Sequence, residues 1–150
     1  MERITSFSVN HDTLEPGIYI SRVDGDITTY DLRFIKPNTP PYLDIDAMHT
    51  IEHLFATYAR NGSLKDNVIY FGPMGCRTGF YLLMRNTSND DALEYIKSVI
   101  KDCMNHEGEI PGSKKIECGN YLAHNAEKAH NSLLEFYNRI KTLQVNDLFY

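Results

Sequence analysis

One pentapeptide, His-Thr-Ile-Glu-His at residues 49–53, constrains the fold of this chain more than any other feature. On a helix, His49 and His53 lie one turn apart and project from the same face. Two imidazoles at this spacing can bind one divalent metal ion. Glu52 follows the same stripe and can reach a molecule bound to that metal. The pattern therefore predicts a helix that supplies two metal ligands and one proton carrier.

The opposite face of this helix is apolar and predicts how the helix packs on a core. Asp44 or Asp46 can cap its start, and Asn61-Gly62 marks its end. The apolar stripe consists of Met48, Ile51, Phe55 and Tyr58.

Length and composition predict an ordinary globular protein. The 150 residues are enough for one domain, residues 1–150, with its own core. The net charge is -5 and no basic run stands out, so a nucleic-acid partner is not expected. No apolar segment approaches the ~20 residues that span a bilayer, so no membrane association is expected. The absence of a signal-peptide core and the three cysteines indicate the cytoplasm.

Periodicity and turn signals predict an α+β fold. Residues 27–36 alternate, with Tyr30, Leu32 and Phe34 on one face and Asp31 and Arg33 on the other. Two further helices follow, one starting at Asn89 or Asp90 and one capped by Asn125. Hairpin-linked strands with inserted helices favour a largely antiparallel sheet packed against helices. The predicted strands cover residues 3–9, 18–23, 27–36, 68–71 and 78–84.

Cys118 is the candidate third metal ligand. Gly119 beside it lets the backbone turn, and such a loop can bring a thiolate to a distant helix. With His49 and His53 it would form a His-His-Cys set with an open fourth position, as in catalytic metal sites. The alternative is a buried free thiol.

Cys76 is the candidate reactive thiol, because Gly75 and Gly79 allow a turn that exposes it. Arg77 would lower its pKa if the two side chains are close in space. The alternative is a structural turn with an incidental cysteine. Cys103, by contrast, fits the core stripe of its helix.

The remaining histidines carry no pattern of their own. His106, His124 and His130 are expected to be solvated helix-end or surface residues, and on composition alone His11 would join them.

Taken together and in order, these motifs resemble the LuxS family, the S-ribosylhomocysteine lyases. The resemblance spans most of the chain, and Ser6-Phe7 with His11 extends it to the N-terminal segment. Its motifs are His49-Thr-Ile-Glu-His53, Pro73-Met-Gly-Cys76-Arg-Thr-Gly-Phe80, Glu117-Cys118-Gly119, and Asp31-Leu-Arg33-Phe34 ahead of Lys36-Pro37-Asn38.

The resemblance implies a homodimer of α/β subunits with two identical sites at the interface. It implies one divalent metal ion per subunit, iron (Fe2+) in the cell and often zinc (Zn2+) or cobalt (Co2+) in preparations. The metal ligands would be His49, His53 and Cys118. Glu52 and Cys76 would be the acid/base pair.

The resemblance also implies a substrate site. Ser6, His11 and Arg33 match positions that contact the substrate, the first two reaching across from the partner subunit. Arg33 can hold the substrate carboxylate at two points, and the alternative is a surface ion pair. The family often carries an Asp six residues before the reactive Cys. That position is Tyr70 here, which leaves the substrate amino group to another acid or to water.

The implied reaction cleaves the thioether of S-ribosylhomocysteine to homocysteine and 4,5-dihydroxy-2,3-pentanedione, the precursor of autoinducer-2 signals. Two other interpretations use the same ligands. One is a metallopeptidase, because His-x-x-Glu-His is also the inverted zincin signature. The other is a non-catalytic metal-binding module, in which Cys76 or His11 closes the fourth position. Only the lyase needs Cys76 for turnover but not for metal binding.

Overall fold

The computed structural model describes all residues from 1 to 150 and contains one four-stranded antiparallel sheet. The strands lie in the order β1-β2-β4-β3. They are β1 (Gly17–Asp24), β2 (Ile27–Arg33), β3 (Val68–Pro73) and β4 (Gly79–Arg85). Both predicted hairpins are present, since β1 pairs with β2 and β3 pairs with β4. The predicted α+β class and antiparallel sheet are confirmed.

Three helices pack on one face of this sheet around a single core of 28 buried residues. They are α1 (Ile45–Ala59), α2 (Asn89–Met104) and α3 (Ala126–Ile140). Asp44 occupies the N-cap position of α1 but its side chain makes no capping hydrogen bond. The caps of α2 and α3 are made by Ser88 and Asn125, whose side chains accept backbone N–H groups. None of these helices is long and apolar enough to cross a membrane.

The alternation predicted for β2 is present, but both of its faces are buried. Tyr30 and Leu32 enter the core below the helices, while Asp31 and Arg33 lie on the opposite face. The C-terminal segment covers that opposite face. Its last residue, Tyr150, donates a hydrogen bond of 2.6 Å to the Asp31 carboxylate. The Asp31 and Arg33 side chains are therefore enclosed rather than solvated.

One predicted strand is absent and another is shorter than predicted. Residues 3–9 form no strand and contain only a short 3₁₀ turn, Thr5–Phe7, because no sheet edge pairs with them. The strand predicted over 27–36 ends at Arg33. Beyond it, the amides of Phe34 and Ile35 both donate to the carbonyl of Thr78, so the regular ladder stops.

The turn between β3 and β4 is compact and depends on one glycine. A Cβ at Gly79 would lie 2.2 Å from the carbonyl oxygen of Leu32, so only glycine allows β4 to approach β2 here. The left-handed conformation in this turn falls on Arg77, with φ of 63°. Its guanidinium donates to the carbonyl of Leu43 just before α1. The turn is thus fixed to both the sheet and the start of α1.

Candidate metal centre and active site

Helix α1 presents two histidines with their Nε2 atoms free to bind a metal. The Nδ1 atom of His49 lies 2.7 Å from the carbonyl oxygen of Ala123, and that of His53 lies 2.9 Å from the carbonyl oxygen of Pro111. A carbonyl only accepts hydrogen bonds, so each Nδ1 carries the proton and each Nε2 carries a lone pair. Backbone carbonyls in this role are typical of metal-ligating histidines.

Cys118 joins these two histidines, as predicted. Its amide donates to the carbonyl of Lys114 in a tight turn, which aims the half-buried thiol at α1. The Cys118 Sγ atom lies 3.4 Å from Nε2 of His49 and 3.9 Å from Nε2 of His53. Imidazole and thiolate are the ligands preferred by zinc and accepted by iron and cobalt. The donor set therefore fits a divalent transition metal.

His124 belongs to the same cluster, which corrects the prediction that it is a solvated surface residue. The donor atoms of His49, His53, Cys118 and His124 all lie within 4.8 Å of one another. Burial, followed by the charges of the two other histidines, lowers the pKa of His124 and favours the neutral imidazole. His130 is exposed, as predicted. His106 is half-buried, with its Nδ1 atom 2.8 Å from the Tyr58 hydroxyl and its Nε2 atom 2.9 Å from the carbonyl oxygen of Glu109.

Glu52 lies next to this cluster and faces a cavity of about 300 Å³. The cavity is bordered by His49 on α1 and by the β3–β4 turn on the other side. Glu52 is half-buried and makes no hydrogen bond with another side chain, so its carboxylate is free to act on a bound molecule. Glu52 and His49 therefore border the same cavity.

Cys76 is exposed at the tip of the β3–β4 turn, as the flanking glycines predict. It borders a cavity of about 510 Å³. The predicted substrate residues Ser6, His11 and Arg33 of the same chain line this cavity. Pro73, Met74 and Gly75 border both this cavity and that of Glu52. The two cavities are therefore adjacent, on either side of one turn.

A buried chain of hydrogen bonds runs from the sheet to the Cys76 thiol. The guanidinium of Arg33 donates to the Asp31 carboxylate through Nε at 3.1 Å and Nη2 at 2.7 Å. Its Nη1 donates to Oγ1 of Thr78 at 2.8 Å. That hydroxyl lies 3.1 Å from Sγ of Cys76. The cation linked to the thiol is therefore Arg33, and not Arg77 as its place in the sequence suggested.

Burial affects the protonation of two residues in and beside this series of hydrogen bonds, Arg33 and Tyr150. Burial alone would lower the pKa of Arg33, but the hydrogen bonds and charge of Asp31 outweigh it and raise the pKa. Burial and then the Asp31 charge raise the pKa of Tyr150. Both groups thus stay protonated, and the pair of Asp31 and Arg33 is buried rather than the surface ion pair considered above. Tyr70 is exposed and lies outside the cavity.

The sequence of this chain matches one family of known proteins. The sequence model of the family described as S-Ribosylhomocysteinase (LuxS) matches residues 4–146. A protein named S-ribosylhomocysteine lyase from Clostridium acetobutylicum is 48% identical over 137 residues, covering 87% of this chain and 86% of the relative. One of the same name from Finegoldia magna is 44% identical over 155 residues, covering 100% and 99%. A third, from Borreliella afzelii, is 42% identical over 150 residues, covering 94% and 96%. With its metal-ligand cluster, exposed thiol and matched length, the chain belongs to the S-ribosylhomocysteinase (LuxS) family.

Proposed function

We propose that this chain is an S-ribosylhomocysteine lyase, a carbon–sulfur lyase that releases homocysteine and 4,5-dihydroxy-2,3-pentanedione. The observation that carries the proposal is the convergence of His49, His53 and Cys118 on one point, beside a free carboxylate and an exposed thiol. Family membership and the names of three relatives support the same activity.

The substrate explains why both acid/base groups are needed. Its thioether joins C5 of a ribose to homocysteine, and such a bond breaks by elimination only when a carbonyl acidifies the C4 proton. The carbonyl must first move from C1 to C2 and then to C3, with protons transferred between neighbouring carbons. A divalent ion held by His49, His53 and Cys118, iron in the cell, supplies Lewis-acid polarisation of the carbonyl oxygens.

The chain supplies the proton transfers. Cys76 gives and takes protons during the two carbonyl shifts, supported by its exposure at the larger cavity. Glu52 removes the C4 proton, and the electron pair of that C–H bond expels the C5 sulfur as homocysteine. The position of Glu52 beside His49 supports this assignment. Positioned groups of this kind contribute ~10²–10⁴-fold each.

Arg33 holds the substrate carboxylate in this proposal. A guanidinium has five N–H groups, and three of them serve Asp31 and Thr78. The remaining two suffice for a two-point contact with a carboxylate in the cavity that Arg33 lines. Arg33→Ala should raise KM or lower kcat/KM, and wild-type kinetics would assign the carboxylate to another group.

The active unit in this proposal is a homodimer acting in the cytoplasm. Large apolar side chains are exposed around both cavities and the metal loop, which supports association. Their exposed fractions are 63% for Phe7, 66% for Ile45, 94% for Ile116 and 78% for Leu122. In the dimer, Ser6 and His11 reach the partner's site, as the exposed apolar residues of the N-terminal segment suggest.

Subunit mixing tests this exchange. Mixed dimers of His11→Ala and Cys76→Ala chains should recover activity, because one of the two sites then combines an intact His11 with an intact Cys76. In this structure His11 also borders the cavity of Cys76 in its own chain. Mixed dimers that stay as inactive as their parents would assign His11 to the site of its own chain.

Release of free thiol from S-ribosylhomocysteine by the purified, metal-loaded protein is the direct test of the function. Turnover should be lost in Cys76→Ala with metal content unchanged. A metallopeptidase would keep its activity in this variant, and a structural module closed by Cys76 would lose its metal. Absence of thiol release by the wild-type, metal-loaded protein would overturn the proposal.

A further inference from the structure

His106 joins the loop between α2 and α3 to helix α1, and the proposed reaction does not use this residue. The Nδ1 atom of His106 lies 2.8 Å from the hydroxyl of Tyr58, near the end of α1. Its Nε2 atom lies 2.9 Å from the carbonyl oxygen of Glu109 in the loop. The ring is half-buried and meets that of Tyr58 edge to face, with centroids 5.7 Å apart. Both ring nitrogens are therefore bonded, one to the helix and one to the loop.

The chemistry of the two partners fixes the direction of both hydrogen bonds. A carbonyl oxygen only accepts, so Nε2 of His106 carries the proton and donates to Glu109. The Nδ1 atom of the neutral ring then has a lone pair and accepts from the Tyr58 hydroxyl. Burial, followed by the charges of Cys103 and Asp102, raises the pKa of Tyr58, so its phenol keeps this proton. His106 thus connects helix and loop in a single tautomer.

The same loop carries the oxygen that holds the metal ligand His53. Two residues after Glu109, the carbonyl oxygen of Pro111 lies 2.9 Å from Nδ1 of His53. Gly112 follows in the left-handed region with φ of 67°, and a Cβ there would lie only 3.3 Å from the same nitrogen. The loop backbone therefore packs directly against the His53 ring.

Two hydrogen bonds join residues 105–113 to α1, and no others do. One runs from Tyr58 to His106, and the other from His53 to Pro111. Loss of the first leaves the Pro111 carbonyl on a loop with one remaining hydrogen bond to the helix. The orientation of the His53 ring therefore depends on the bond that His106 makes.

We propose that His106 is a positioning residue for the metal ligand His53 and acts through the loop that carries the Pro111 carbonyl. His106 itself belongs to neither the metal cluster nor the two cavities beside it. A carbonyl that accepts from Nδ1–H fixes the tautomer and orientation of a metal-ligating ring. The inference rests on the proposed function, because turnover needs the metal that His53 helps to hold.

Nuclear magnetic resonance of the zinc-loaded protein tests this role at the atom concerned. The Nδ1–H proton of His53 should exchange with water about 2–10-fold faster in His106→Ala than in the wild type, the equivalent of one hydrogen bond. The Nδ1–H proton of His49 serves as the internal reference and should be unchanged, because the carbonyl of Ala123 accepts it. Equal exchange of the His53 proton in both proteins would overturn the proposal.

Zinc affinity, measured by competition with a chelator, gives a second readout. His106→Ala should bind zinc about 10-fold more weakly, as for other residues that support a metal site. Tyr58→Phe removes only a hydroxyl and should fold even if His106→Ala does not, with a loss of roughly 2–5-fold. The combined variant should be no weaker than His106→Ala, because Tyr58 acts through His106. Additive losses would refute the connection.

A matched control and the activity of the wild type keep the outcomes distinct. His130→Ala removes an exposed histidine of α3 that bonds to the carbonyl of Met104, and it should leave both readouts unchanged. A loss of zinc in this control equal to that in His106→Ala would contradict a specific role for His106. A zinc-loaded wild type with a protected His53 proton but no thiol release from S-ribosylhomocysteine would overturn the lyase function and leave the positioning role standing.

Discussion

The metal cluster and the Cys76 cavity lie on either side of one turn, but different forces organise them. The cluster consists of imidazoles and a thiol, brought from α1 and from a loop whose Cys118 lies 69 residues after His49 and 65 residues after His53. Their lone pairs converge on a point where one metal ion can bind all of them. The cavity depends instead on a buried ion pair, Asp31 with Arg33, fixed on β2, which pairs regularly with β4. The cluster thus brings lone pairs together, whereas the cavity rests on two opposite charges.

The largest expected effect comes from removing the thiol of the metal cluster, Cys118, or the thiol at the cavity, Cys76. Cys76→Ala should reduce thiol release by ~10²–10⁴-fold, the usual contribution of a positioned acid/base group. Cys118→Ala should reduce it at least as much, because the Lewis acid is lost with its ligand. Only Cys118→Ala should also lose metal, as measured by elemental analysis of the purified chain. A Cys76→Ala variant without metal would place both thiols in one cluster and remove the contrast.

The next largest effect should come from removing Arg33, the buried cation that lines the cavity. Arg33→Ala leaves the Asp31 carboxylate buried without its partner, which costs ~3–5 kcal/mol when one member of a buried pair is removed. Urea unfolding of the metal-loaded protein measures this loss. Arg22→Ala, which breaks the exposed pair with Asp24, is the control and should change little. Equal effects of the two substitutions would show that the buried pair does not hold the cavity.

The metal cluster and the Cys76 cavity differ in how much of each could be predicted from the sequence. His49 and His53 follow from helical periodicity alone, since one segment determines their relation. His124 has no periodic partner, and its role depends on a loop that returns across most of the chain. The available signal was its place six residues after Cys118 and directly before the α3 cap. This spacing indicates that His124 lies near the cluster only if Cys118 is already taken to be a ligand.

The cavity was predicted less completely. The alternation in β2 places Asp31 and Arg33 on one face, but periodicity does not reveal that the C-terminal residue covers that face. The ion pair, considered from the sequence only as a surface alternative to substrate binding, is buried. The strand predicted over residues 3–9 is wrong for a different reason. Its apolar residues suggested a strand, yet a strand also needs a free sheet edge, and no property of the segment itself reports one.

A smaller effect should come from removing the Thr78 hydroxyl, which lies between the Arg33 guanidinium and the Cys76 thiol. Thr78→Val removes the link between Arg33 and Cys76, worth about 1 kcal/mol or roughly fivefold in rate. We expect slower thiol release and slower alkylation of Cys76 by iodoacetamide, with metal content unchanged. Thr78→Ser should restore both rates, because it keeps the hydroxyl. If Thr78→Ser were as slow as Thr78→Val, packing of the methyl group would be responsible instead.

The smallest effect concerns Tyr150, which donates a hydrogen bond to the buried Asp31 carboxylate. Because the pKa of Tyr150 is raised in the folded state, its contribution to stability is present below pH ~10 and is lost as the pH rises above that value. Tyr150→Phe should therefore be less stable by about 1 kcal/mol at pH 7, and the difference should shrink above pH 10. Urea unfolding at both pH values measures this, with the exposed Tyr70→Phe as control. A difference that grows with pH would contradict the assignment.

The unequal exposure of the three cysteines makes the chain a reporter of its own metal content. Cys103 is buried in the core, and burial raises the pKa of its thiol, so it should not react with an alkylating reagent in the native protein. Cys118 should be protected only while it binds the ion, and Cys76 is exposed in both states. Mass spectrometry after brief alkylation should therefore count one label on the loaded chain and two on the stripped chain, which gives metal occupancy molecule by molecule in a mixed preparation.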